Sequence, residues 1–294
     1  MANIFRESTK LIRFPGKMDF TKKKSVIPNY FLDEEASAIL EGGIVVECGT
    51  AAASDGPAID LEYKYGWKFF GFEPDPRFYP ILIKNRPNGI NINAALSDHV
   101  GQTRFTMSAW GGNSSLNHCT MHKEELISYK QTFIDGSYFK EIDVATMNWN
   151  FFTQQYNLDK VDYLILDVEG SELMVLDGFD ETSILPSVVQ IEYGYSDPKN
   201  KYLNVENKEN FSGFIALYER LYRLGYEFDY VNHNDAFFSL PRFWENRVKP
   251  RTWLGEDERF DWVGLCMYEK EKCRSIIESL DFFKERGSKH DPHI

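Results

Sequence analysis

No run of about 18 consecutive apolar residues occurs in this 294-residue sequence, so it offers no helix able to cross a bilayer. Cysteine is scarce: Cys48, Cys119, Cys266 and Cys273 are scattered, with no CxxC pair and no cysteine–histidine spacing. That excludes a disulfide framework and a zinc finger, and reduced thiols in a cytoplasmic compartment are the expectation. Positive charge is in deficit, with 33 lysines and arginines against 45 acids and a net charge of −12. Nucleic acids and anionic membranes are recognised through excess Lys and Arg, so neither is the expected partner. The opening MANIFRESTKLIRFPGKMDFTKKK is broken by Glu7, Arg13 and Asp19, and no continuous apolar stretch leads to a small-residue cleavage site. A secretory signal is therefore not expected. Internal repeats and low-complexity tracts are missing as well.

What remains is ordinary globular material, 43% hydrophobic, in a chain long enough to bury a core without a metal or disulfide staple. Residues 1–42 form an N-terminal extension in this reading, with a basic stretch at Lys22, Lys23 and Lys24 and a helical pattern over 33–40. Short apolar runs then alternate with helix-length segments. Strands are expected at 44–46, 67–72, 90–96, 163–166 and 188–193, with helices at 57–65, 77–85 and 171–179 between them. β-branched and aromatic residues crowd these runs, as they do in parallel strands covered on both faces. Phe214, Leu217, Leu221 and Leu224 form one stripe of a further helix, stopped by Gly225. Strands at 227–231 and 262–268 follow, and a surface helix and tail occupy 271–294. Stretches 99–142, 193–211 and 235–261 break the alternation and are expected to be functional loops.

In an open parallel sheet, ligands bind beyond the carboxyl ends of the strands. The first run ends in Glu47-Cys48-Gly49-Thr50, followed by Ala51 to Asp55, small residues that let the backbone turn tightly beside a ligand. This loop lacks the GxGxxG of a dinucleotide site, which counts against a nicotinamide-dependent dehydrogenase. The second run ends in Glu73-Pro74-Asp75-Pro76, and an acid at that tip is placed to bind a ribose diol. Ala95 and Leu96 suit an adenine face. Asp167, Glu169 and Glu172 follow the fourth run, and Glu192 closes the fifth.

Taken in order, VVECGT, GFEPDP, NAALSD-x-x-G, GGNSSL, YLILDVEGSELMVLDG and VVQIEY resemble the FkbM family of S-adenosylmethionine-dependent O-methyltransferases over about residues 44–193. A weaker echo lies at GYEFDYVNHNDAFF. The resemblance implies an α/β class I methyltransferase, Rossmann-like, with a seven-stranded mostly parallel sheet, helices on both faces and only the last strand antiparallel. On that basis a methyltransferase domain over 43–270 is expected. The implied cofactor-binding set is Glu47, Gly49, Thr50, Ala51, Asp55, Glu73, Pro74, Ala95, Leu96, Asn113, Ser114, Ser115 and Asp167. In the first loop the family's spacing is interrupted by Thr50 to Ser54, so which of Ala51 to Asp55 touches the cofactor stays open.

An acceptor hydroxyl needs either a general base or a metal to become a nucleophile. Asp167 and Glu192, on neighbouring strands, can supply either: two close anions raise one another's pKa, or a magnesium or manganese ion bridges them. Glu169 is the second candidate base, and His118, with His122 and His233, is another. Glu172 fits better as a partner of the helix N-terminus. The acceptor is read as a sugar hydroxyl of a glycan or glycan precursor. A polyketide-like small molecule and a non-catalytic binding module are the alternatives. Arg242, Trp244, Arg247, Arg251 and Trp253 suit a sugar face. Oligomeric state is not legible.

Overall fold

The computed structural model describes residues 32–33, 38–39, 42–53, 57–109, 114–116, 132–192, 208–232, 235–245 and 260–261. Strand β1 (Ile44–Cys48) leads through helix α1 (Pro57–Tyr65) to β2 (Lys68–Phe72), and α2 (Tyr79–Asn85) leads to β3 (Ile90–Ile92). Next come β4 (Ala95–Leu96), β5 (Gly101–Ser108), β6 (Phe139–Met147), α3 (Trp149–Gln155), β7 (Tyr163–Leu166), α4 (Glu172–Asp177) and β8 (Val188–Glu192). Helix α5 (Lys208–Arg223), β9 (Glu227–Asn232), β10 (Asp235–Ser239) and the two-residue β11 (Phe260–Asp261) complete the described elements.

The main sheet runs β11-β9-β10-β8-β7-β1-β2-β3. From β8 to β3 every neighbour is parallel, and β10 is antiparallel to both β8 and β9. Without β11 this is the expected seven-stranded, mostly parallel sheet with one reversed strand. Alternation along each strand divides the core between two faces. Val46, Phe70, Phe72, Leu164, Leu166 and Val189 pack with Trp149, Phe152, Val175 and Leu221 of α3, α4 and α5. Val45, Phe69, Tyr163, Ile165 and Val188 pack with Ala58, Leu61 and Leu82 of α1 and α2. Tyr163–Leu166 is buried throughout, as a central strand covered on both faces must be.

Helix α3 starts at Asn148, whose side chain accepts the Phe151 N–H at 2.9 Å and satisfies one of the free amides of the first turn. Trp149 then stacks on Phe179 at 4.8 Å, and Phe152 meets Phe70 and Phe72 edge-on at 5.3 and 5.1 Å. These aromatics fix the sheet edge that carries the tip of β2. The C-terminal carbonyls of α4 are satisfied from α5, where Arg220 Nη2 donates to Leu176 and Phe179.

Several expectations change. The helical pattern at 33–40 gives way to a short antiparallel pair, Leu32–Asp33 with Ala38–Ile39. The run at 90–96 splits: β3 stays in the main sheet, while β4 joins β6 and β5 in a separate three-stranded sheet. Consequently 101–108 and 139–142 within the stretch 99–142 are strand, with β5 paired antiparallel to β6 from Gly101↔Thr146 to Ser108↔Phe139. Its period-2 pattern, Phe105 and Met107 inward with Arg104 outward, belongs to a sheet wet on one side. The reversed strand is Asp235–Ser239, placed in a loop by the sequence reading; it pairs antiparallel with both β8 and β9. Residues 262–268 and 271–294, expected as strand, helix and tail, lie outside the described residues.

Candidate active site

At the carboxyl ends of β1, β2 and β7 lies a cavity of about 220 Å³. It is closed on one side by the small three-stranded sheet, through Ala95, Leu96 and Phe105, and on another by Ser114 and Leu116. The floor comes from the β1 loop. Gly49 has φ +81, and a Cβ there would lie 1.7 Å from the carbonyl oxygen of Asp167, so only glycine lets this loop cross the tip of β7. Gly49 and Thr50 donate to the Phe72 carbonyl at 3.2 and 3.3 Å, and Asp167 N–H donates to Cys48 at 3.1 Å. Three strand tips are thereby locked together. Gly49→Ala is expected to cost about 3 kcal/mol or more of stability, read by urea unfolding.

Glu73 holds the next part of the loop. Its Oε2 accepts the Ala51 N–H and its Oε1 the Asp75 N–H, both at 2.7 Å. Ala51 and Ala53 sit in the left-handed region, at φ 45 and 43, a strained setting for a residue with a Cβ, and the Glu73 bond helps to maintain it. Burial, reinforced by the charge of Asp75, pushes the Glu73 carboxyl up to about 8.

The acids of the other tip meet. Asp167 and Glu169 line the cavity; Glu192 stands beside them, and one carboxylate oxygen of each lies within 4.8 Å of the others. Burial raises Asp167, opposed by a hydrogen bond from Glu192. Glu192 is pushed well above the carboxylate range, by burial first and then by the charges of Asp167, Glu169 and Glu172. Both carboxyls are thus pushed up, Glu192 the further of the two, and Asp167 is the member that lines the cavity. Glu169 has φ 56, a strained conformation that turns the chain just after Asp167. Glu172 does what a first-turn acid does: its Oε1 accepts the Val168 and Gly170 N–H groups at 3.1 Å, and burial raises it to about 7.

Of the expected cofactor residues, Gly49, Ala51, Glu73, Pro74, Ala95, Leu96, Ser114 and Asp167 line the cavity. Thr50 lies behind it, its hydroxyl on the Phe72 carbonyl at 3.4 Å, and Ser115 is turned to the Ser171 hydroxyl at 3.0 Å. Glu47 differs from expectation. It shares a face with Val45, not with Val46 and Cys48, so its carboxylate faces the fully buried Arg86 at 3.7 Å and not the cavity. Asp55, Asn113, His118, His122, His233, Arg247, Arg251 and Trp253 lie outside the described residues, as does the side chain of Trp244. Arg242 is exposed and donates to the Leu185 carbonyl at 3.0 Å. Sequence reading missed the apolar walls at Phe72, Phe78, Phe105 and Leu116, although NSSL and GFEPDPRF lay beside motifs already in view.

A parallel sheet ordered β3-β2-β1-β7-β8, continued by the hairpin β10-β9, with acids around a cavity at its carboxyl edge, defines a class I methyltransferase fold. Within that class the chain belongs to the methyltransferase FkbM domain family, whose sequence model matches residues 47–228. Among solved structures it is similar to methyltransferase FkbM from Methylobacillus flagellatus KT, at 10% identity and a TM-score of 0.37, covering 81% of this chain. The chain spans 58% of the length of that protein. It is also similar to precorrin-6y C5,15-methyltransferase from Geobacter metallireducens GS-15, at 10% identity and a TM-score of 0.31, covering 74% of this chain and 93% of that one. A third likeness is to human methyltransferase 10 domain containing protein, at 11% identity and a TM-score of 0.30, covering 81% of this chain and 79% of the other. No curated protein matches the chain.

The family implies S-adenosylmethionine as cofactor. The residues present fit that group. The β1 loop comes so close to β7 that a single Cβ would fill the gap, and a buried carboxylate stands at the second strand's tip. Phe72, Phe78, Phe105 and Leu116 add apolar walls to the acid-lined cavity. No helix among the described residues is long and apolar enough to cross a membrane.

Proposed function

We propose that the chain is an S-adenosylmethionine-dependent O-methyltransferase whose acceptor is a sugar hydroxyl in a glycan or glycan precursor. Its catalytic unit occupies about residues 43–270, and a reducing, cytoplasmic compartment suits its buried free thiol at Cys48. When bound, the cofactor supplies an electrophilic methyl group on a positively charged sulfur. Glu73 would hold its ribose and Gly49 with Ala51 its amino-acid end, while Ala95 and Leu96 contribute an apolar face for the base. The acids around the cavity favour a cation there.

The observation that carries the reading is the Asp167–Glu192 pair on the same rim as Glu73. Asp167, ionised and facing the cavity, accepts the proton of the acceptor hydroxyl, and Glu192 steadies it through the shared hydrogen bond. A second reading is favoured by the convergence of Asp167, Glu169 and Glu192, since three carboxylate oxygens this close are a donor set for a hard divalent ion such as magnesium or manganese. In that case the same residues would hold the metal, which acidifies the acceptor hydroxyl.

Purified chain, labelled cofactor and a panel of glycans and polyketide-like alcohols test the proposal. Label is expected in an ether-linked methyl on a glycan. Transfer only to the small alcohols would move the acceptor class, and failure to bind the cofactor by calorimetry would overturn the enzyme reading.

A further inference from the structure

Arg77 has no part in the reaction described so far, yet it is buried against the cavity wall. Its guanidinium forks onto Asp75, with Nε 2.9 Å from Oδ1 and Nη2 2.5 Å from Oδ2. The Arg77 N–H also donates to Asp75 Oδ1 at 2.9 Å. From the same fork, Nη1 donates to the Ser108 carbonyl at the end of β5 at 2.9 Å, and Nη2 reaches the Ser114 hydroxyl at 3.3 Å. The Phe133 ring centre lies 5.1 Å from Cζ, within reach of a cation–π contact. One cation thus joins the tip of β2 to the last residue of β5 and to the segment 114–116.

That segment lines the cavity. Ser114 is tied to the Asp75–Arg77 side, while Ser115 bonds to Ser171 at the start of α4 and its backbone pairs with Thr106 of β5. Ser114 and Leu116, on either side of Ser115, both line the cavity. Backbone pairing with Thr106 and the Ser108 N–H, which donates to the Ser114 hydroxyl at 3.1 Å, tie the segment to β5, whereas its tie to the tip of β2 runs through the planar Arg77 fork and the Ser114 hydroxyl's 3.4 Å approach to Asp75 Oδ2. Lysine, with a single point of charge, cannot reproduce that geometry. Without the guanidinium, Asp75 would stand as an unpaired buried anion beside Glu73, and the wall would lose a tie to the β2 tip.

We infer that Arg77 is a positioning residue for the cofactor: acting through Asp75 and Ser114, it sets the wall of residues 114–116 against the tip of β2. The inference rests on the methyltransferase reading above. It touches neither the acceptor nor the acids that serve it, so its signature is a loss of cofactor binding with turnover preserved.

Calorimetric titration of S-adenosylhomocysteine into the full chain tests it. Arg77→Lys is expected to weaken binding by roughly 10–100-fold, the value of one or two charge-assisted hydrogen bonds. In assays the cofactor KM rises in parallel, while kcat at saturating cofactor stays within about twofold and the acceptor KM is unchanged. Arg77→Met, which keeps the stem and removes the fork, is expected to match or exceed that loss; thermal unfolding shows which variant is folded, and either one carries the comparison. Wild-type affinity in a folded variant, or a fall in kcat with unchanged cofactor KM, overturns the inference. A wild-type chain that does not bind S-adenosylhomocysteine overturns the methyltransferase reading instead.

Discussion

Asp167→Asn is expected to lower kcat by about 10²–10⁴-fold, the range that a positioned general base contributes. Asparagine keeps the shape and can still hydrogen-bond Glu192, but it cannot take a proton, so the loss falls on turnover. Retention of more than about a tenth of wild-type kcat would show that the acceptor is deprotonated elsewhere. The pH profile adds a sharper test. Asp167 acts ionised, so kcat/KM rises with pH as its proton is lost, and burial places that rise above the ordinary aspartate range. The hydrogen bond from Glu192 opposes the burial effect. Glu192→Ala removes that donor and is expected to move the acid limb to higher pH, whereas Glu192→Gln keeps a donor and leaves the limb near its wild-type position. Chelation separates the base from the metal: activity that survives EDTA belongs to the base, and activity lost to EDTA and restored by magnesium belongs to the carboxylate triad around Asp167.

That these acids lie on one rim was legible in the sequence, because a strand buried on both faces is a near-continuous apolar run and its acids gather where it ends. GFEPDP and LILDVEG announce the tips of β2 and β7 in this way. The direction of Glu47 was also written in the alternation of IVVEC, where Val45 and Glu47 share one face. The partner that makes this burial tolerable was not legible. Arg86, in the turn-like RPNG, reads as a surface cation, and only the assembled sheet brings it between Glu47, Glu62 and the ring of Phe69. The antiparallel pieces were lost for a different reason. DAFFS and GQTRFTMS are short or half polar, and their pairing is with strands far along the chain or across a hairpin, so local composition resembles a loop. Arg77 combines both difficulties: its significance depends on Ser108 and Ser114, more than thirty positions away.

Glu73→Ala is expected to weaken cofactor binding by about 10²–10³-fold, since it removes the ribose partner together with the acceptor that holds the strained Ala51 turn. Unchanged affinity in the folded variant would show that the ribose is bound elsewhere. The raised pKa of Glu73 gives a second, independent consequence. Its folded-state value of about 8 lies above the ordinary 4.5, so the folded chain keeps a proton that the unfolded chain has released across that interval. Stability of the cofactor-free protein should therefore fall as pH rises from about 4.5 to about 8, by up to a few kcal/mol from this group, and Glu73→Gln should flatten that slope. Ribose hydroxyls donate best to an ionised carboxylate, so cofactor binding favours loss of the same proton. Near neutral pH the association should release it, and titrations in buffers of different ionisation enthalpy would record the release. The proton should disappear from the measurement in Glu73→Gln, where the side chain has none to lose. Equal proton release in both proteins would assign it to the other raised acids of the rim, Glu172 or the Asp167–Glu192 pair, and would remove Glu73 from the ribose site.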